Sequence, residues 1–181
     1  MAVYLIANGP SPTTAAQVAV ATGTDIKTML QVEALATGPG LRVIEWAVAF
    51  DGIAPAAPPV VELIETDVAA TVTAHVASGI VKYDIAAMNG PADPTSAIPV
   101  GTASTGYTAS AEGTITELRP LNPTMQAPTT EFMRQFPFGR EPYVAPGKFL
   151  RIRVHAAADV NCICSVLVEE YVRFQRELDP T

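Results

Sequence analysis

Two cysteines, two histidines and two close pairs of carboxylates are the residues of this chain whose types and spacing invite chemistry. Cys162 and Cys164 stand two apart in the apolar run Val160–Val168, so on an extended strand both thiols share one face. That placement suits neither a bond between them nor a metal site, because only His75 and His155 could join them as imidazole ligands. Free, buried thiols are the expectation, and synthesis in a reducing cytoplasm fits it. No Ser, Cys or carboxylate stands at a recognised spacing from His75, so this residue reads as a packing or partly exposed histidine. Glu62 and Glu65 would point to opposite sides of a strand, and so would Glu169 and Glu170. A glycosidase needs two carboxyls about 5–10 Å apart across a cleft. Arg140-Glu141 reads as an ion pair that stabilises a turn. The phosphate-binding, dinucleotide, nucleophile-elbow and zinc-protease motifs are absent from the sequence. The expectation is a non-enzymatic protein with no catalytic, cofactor-binding or metal-binding residues and no cofactor.

The elements that would position any site read as strands. In Gly147–His155, Leu150, Ile152 and Val154 alternate with Arg151, Arg153 and His155, the period of a half-buried strand. The run Val160–Val168 is apolar on both faces, as expected of a central strand covered from both sides. Ala156–Asp159 between them has the length of a hairpin loop, so the two are expected to pair. Ile26–Val32, Leu41–Phe50, Val60–Ile64, Gly113–Leu118 and Glu131–Phe138 also read as strands, with Trp46 as a core anchor. A short helical turn at Thr66-Asp67 is expected to precede a strand from about Val72. Residues 84–111 read as a long irregular loop, and Pro120, Pro123 and Pro128 mark an extended crossing. About eight short strands with Gly/Pro turns predict an all-β fold, an antiparallel β-sandwich of jelly-roll or Greek-key type.

Composition bears on partners. The chain has 181 residues, 49% of them apolar, yet only 16% are charged. About 25% charge is usual, so the shortage predicts surface hidden by other subunits or by an assembly. A surface made polar by Thr, Ser and backbone is the alternative. The net charge of −7 argues against direct nucleic-acid binding, and no run of about 20 apolar residues suggests a membrane helix. No signal peptide is expected, because a basic n-region is missing and Asn8–Pro12 interrupts the apolar run. Residues 1–133 carry 4 basic and 12 acidic groups and residues 134–181 carry 7 and 6, so the later third is mildly cationic.

Residues 1–24 contain no charge, and Pro10 and Pro12 deny them a helix. They read as an extended arm lying on a neighbour, or else as a first strand at Val3–Ile6 packing on its own domain. The arm reading divides the chain into an arm (1–24), a β-sandwich (25–172) and a tail (173–181). It makes Val3, Tyr4, Leu5, Ile6, Val18 and Val20 assembly contacts, joined by Ile98, Val100 and Tyr107 from the long loop.

Several segments taken together resemble the small head-decoration and minor virion structural proteins of tailed bacteriophages. They are Ile44–Trp46 with Phe50-Asp51, Glu62–Thr66, Ser110–Thr116, Gln135–Pro142 and Lys148–Val154. The resemblance implies assembly in a bacterial cytoplasm and residence on the capsid surface, commonly as homotrimers, with the major capsid protein or other virion proteins as partners. It carries no functional residues over. The alternative is a carbohydrate-binding β-sandwich used for adhesion, for which only Tyr83 and Tyr107 lie near loops.

Overall fold

In the computed structural model the structure describes residues 2–10, 14, 16–52, 57–83 and 98–171. The expected tail from 173 onward, Pro12 and the first part of the long loop fall outside these residues.

The strands are β1 (Val3–Ala7), β2 (Val20–Ala21), β3 (Lys27–Glu33), β4 (Gly40–Phe50), β5 (Val60–Thr66), β6 (Thr71–Ala74), β7 (Ile80–Lys82), β8 (Gly106–Ala111), β9 (Leu118–Met125), β10 (Glu131–Gln135), β11 (Tyr143–Val144), β12 (Phe149–His155) and β13 (Asn161–Tyr171). They form two antiparallel sheets, in the order β10-β4-β13-β1-β7 (with β11 on β4 and β2 on β13) and β6-β8-β3-β12-β5-β9. The chain is an all-β sandwich. Its core follows the period of 2, broken once in β4 opposite Leu167/Val168 so that Val43 as well as Trp46 and Val48 faces inward. These, with Cys164, Val166 and Val168 of β13, meet Leu30, Val32, Leu63, Leu150, Ile152 and Val154 of the other sheet. Trp46 is wholly buried, donates Nε1–H to Asn122 Oδ1 at 3.2 Å and stands edge-on to Phe132 at 5.1 Å.

Four expectations are corrected. First, β12 and β13 do not pair with each other. β12 lies between β3 and β5, and β13 lies between β4 and β1, so residues 156–160 carry the chain from one sheet to the other. Ala156 and Val160 are buried at this crossing, which turns both apolar faces into one core. Second, no helical turn forms at Thr66-Asp67; Thr66 ends β5, and the short 3₁₀ turn lies later, at Ala77–Gly79. Third, residues 112–117 are a loop, whereas β8 and β9 occupy the end of the expected loop and the proline-rich crossing. Pro120 and Pro123 fit a strand there because β9 is a sheet edge, where a missing N–H costs nothing.

Fourth, the N-terminal segment is no free arm. Val3–Ala7 is threaded between β13 and β7, Tyr4 and Ile6 are fully buried, and Val20 pairs with Cys162. Alternation decides this, because Tyr4 and Ile6 fall on the inward face. Asn8 continues the strand with its side chain: Nδ2 donates to the Cys162 carbonyl at 3.1 Å, and Oδ1 accepts from the Cys164 N–H at 2.8 Å. Ile6→Ala should therefore cost about 2–5 kcal/mol of folding stability, as a core truncation does. Removal of residues 1–9 should unfold the subunit. Chemical denaturation checks both, and an unchanged midpoint would restore the arm reading.

Candidate functional site

The two outer faces of the sandwich are unlike. Outside the six-stranded sheet the polar groups pair with one another. Arg153 reaches Glu62 at 2.7 Å across β12 and β5, and Lys148 meets Glu117 at 2.5 Å. Arg151 has no exposed surface; its Nη1 donates to the Glu112 carbonyl at 3.1 Å and lies 3.3 Å from the Glu112 carboxylate, and its Nη2 donates to the Val68 carbonyl. Glu112 also accepts from the Thr28 N–H and hydroxyl. Beside it Gln31, also fully buried, donates to the carbonyls of Ala70, Ala103 and Ser104 and accepts from the Ala70 N–H. Loops thus roof this sheet with a layer in which most polar groups are paired, the buried Arg151 Nε and Thr108 hydroxyl being the exceptions among the described residues.

The outer face of the seven-stranded sheet has no such roof among the described residues. Cross-strand register places Val81, Leu5, Leu167, Glu45 and Gln135 in one row. Ala7, Ser165, Ala47 and Met133 form the next row, followed by Ile163, Ala49 and Glu131. The side chains of the central strands are small or aliphatic, with Ser165 and Glu45 the polar ones. Met133 is 62% exposed and Val81 49%. One border is charged: Arg42 bonds Glu169, lies 4.0 Å from Glu141 and covers the Tyr171 ring at 4.8 Å. Phe138, 91% exposed, projects at that border from the loop after β10, with Arg42 6.0 Å from its ring centre. The expected Arg140–Glu141 pair is thus replaced by one between Arg42 and Glu141. A flat apolar face of this kind is what a packed neighbour covers.

The nine expected contacts are scattered by the fold. Val3 and Leu5 lie half-buried on the bare face, whereas Tyr4, Ile6 and Ile98 are in the core, with Val20 and Val100 packed against it. Val18 stands 61% exposed, and the Tyr107 ring lies 5.0 Å from that of His75. The residues that make the face, Ala47, Ala49, Met133, Ile163 and Leu167, were missed. Their signal was the apolar character of Val160–Val168 on both faces, because only one side meets the core.

Both cysteines are free and buried on the core side of β13, and burial pushes the Cys164 thiol up, helped by neighbouring Cys162. Glu65 pairs with Arg119 at 2.6 Å. Among the described residues no group of three or more His, Cys, Asp or Glu is placed to hold a metal. A cleft of about 400 Å³ runs between residues 22–27 and 109–112; of its two carboxylates, Glu112 is committed to Thr28 and Arg151, and Asp25 is exposed. His75 is 1% exposed, and its Nε2 has no partner among the described residues.

Two predictions follow from the buried polar groups. Removing the carboxylate in Glu112→Ala leaves Arg151 buried and unpaired, a loss on the order of 3 kcal/mol; Arg151→Met, which removes the charge as well, should cost far less. Equal losses in chemical denaturation would refute the pairing argument. Burial holds His75 below its ordinary value of 6.5, with the Ala7 carbonyl opposing. The unfolded chain then binds the proton first, so stability should fall as pH drops below about 6.5. Asp67, held at about 2 by the Thr116 side chain and the Glu117 N–H, loses its contribution only as pH falls from 3.8 towards 2. The two windows separate, and His75→Phe should flatten the upper one in a denaturation series across pH.

No family model matches the chain, and neither a curated protein nor a solved structure is found similar to it.

Proposed function

We propose that this chain is a non-enzymatic structural protein of a tailed-bacteriophage virion, a decoration or cement protein that sits on the capsid exterior as a trimer. The observation that carries the proposal is the bare outer face of the seven-stranded sheet, where Leu5, Ala47, Ala49, Ile163 and Leu167 lie on strands already paired on both sides. A chain with 16% charge that concentrates its ion pairs elsewhere leaves this face to a protein neighbour. The resemblance of its segments to head-decoration proteins supplies the kind of neighbour.

The mechanism is burial. Each aliphatic side chain removed from water contributes roughly 1–3 kcal/mol, and a protein that binds only the assembled shell stabilises that shell by mass action. A sugar-binding module fits less well, since of the two tyrosines it would use the Tyr107 ring is packed on His75, which leaves Tyr83, 63% exposed, to stack alone.

Light scattering on the purified full chain should give the mass of a trimer. Mass spectrometry of purified particles should find the chain at a fixed ratio to the major capsid protein. A monodisperse monomer at all concentrations that is also missing from particles would reject the reading. Ala47→Asp with Leu167→Asp should lower the affinity for neighbours at least tenfold while leaving the isolated fold intact.

A further inference from the structure

Among the described residues the two sheets end in β10, β7, β6 and β9, and the two-residue β2 and β11 are too short to template a strand. Three of these four end strands carry features that prevent another strand from adding. β9 has Pro120 and Pro123, β7 is three residues long, and β6 has two register shifts in its pairing with β8. The fourth, β10 (Glu131-Phe-Met-Arg-Gln135), has neither proline nor bulge and pairs only with β4 among the described residues. Its ladder with β4 continues as the Phe136 N–H donating to the Ile44 carbonyl at 2.9 Å. Alternation along an antiparallel strand then turns the N–H and C=O groups of Glu131, Met133 and Gln135 away from β4, into the open.

We propose that this edge joins two copies of the chain across a twofold axis, β10 against β10 antiparallel, with Met133 at the centre. Charge selects the occupant and the register. Centred on Met133, the pairing uses all five residues and sets Glu131 opposite Gln135 and Arg134 opposite Phe132. No like charges then stand face to face. A shift that centres on Arg134 would place two guanidiniums opposite each other, which is unfavourable. Met133 lies 62% exposed in one copy and covers its counterpart in the pair. Isologous contact across a twofold is the commonest way identical subunits meet. A five-residue strand pair is a small interface, so it belongs among weak contacts that become effective when copies are held close together. A threefold ring contains no twofold, so this contact is separate from the proposed trimer and links subunits of different trimers.

The experiment uses the full chain. Met133→Cys should form a disulfide-linked dimer under mild oxidation, because directly opposed residues on antiparallel strands lie within bonding reach. The native Cys162 and Cys164 are buried and give the unlinked control. Thr73→Cys, exposed on the edge strand β6, should link at least tenfold more slowly. Met133→Pro removes only an outward N–H, and Met133→Lys sets two ammonium groups opposite each other. Each should weaken association of trimers, or of monomers if no trimer forms, at least tenfold by analytical ultracentrifugation. Both variants are first checked for an unchanged thermal midpoint; if the proline variant unfolds, the lysine variant decides. Cross-linking of Met133→Cys no faster than of Thr73→Cys, or unchanged association in the folded variant, overturns the twofold contact. A trimer that persists in Met133→Lys while the higher association is lost supports it. Loss of the trimer itself in that variant overturns it, since β10 would then belong to the threefold contact. A wild-type chain that cross-links at Met133 but never forms a trimer rejects the trimer and keeps the edge.

Discussion

The ladder between β4 and β13 is the constraint on which the other parts of this molecule depend. Its register runs from Cys162 opposite Phe50 to Tyr171 opposite Gly40, with one irregularity at Leu167/Val168. Because side chains alternate with period 2, this one alignment decides what faces the core. It sends Trp46, Val48, Cys164 and Val166 inward and leaves Ala47, Ala49, Ile163 and Leu167 outside. It also presents the free edge of β13 to β1, so the N-terminal segment finds its partner on a strand near the other end of the chain. Slip the ladder by one residue and the core and the bare face would exchange.

The two sheets handle their outer faces by different physics. Where the six-stranded sheet carries Arg151 and Gln31, charge and amide are buried, and each must find partners or cost several kcal/mol. The loops around Val68, Ala103 and Glu112 supply those partners, so polar side chains fasten the loops down. At the middle of its outer face the seven-stranded sheet carries only Ser165 and Glu45 as polar groups, and no loop is fastened to them among the described residues. It stays bare, and the small side chains at its centre let a second surface approach closely.

The fold class was legible because alternation, Gly/Pro turns and strand lengths agree along nearly the whole chain. Sheet membership was not legible. The four residues Ala156–Asp159 suit a hairpin as well as a bridge between sheets, and periodicity within β12 and β13 does not say which strand each one neighbours. The N-terminal segment misled for another reason: absence of charge is equally the mark of a core strand and of an arm, and only the pairing of Val3–Ala7 with β13 separates them. Of the surface, its existence could be read from the 16% charge and from the two apolar faces of Val160–Val168. Its composition could not, since Ala47, Ala49 and Met133 join it only through register across strands.

Shape favours a macromolecular neighbour over a small ligand for that surface. Small-molecule sites are concave and close around most of their guest. Ala7, Ala47, Ala49 and Ser165 give the centre of the face short side chains of nearly equal height, which leaves no pit to enclose a ligand. Two clefts lie elsewhere, one beside Glu112, whose carboxylate is committed to Thr28 and Arg151, and one where Glu65 pairs with Arg119 and Lys148 with Glu117. A sheet face that is flat and weakly polar is complementary to another flat surface. The strand sequence points the same way, because Val160–Val168 has the two apolar faces of a strand covered on both sides, and within the described residues one of those covers is supplied by nothing in its own fold.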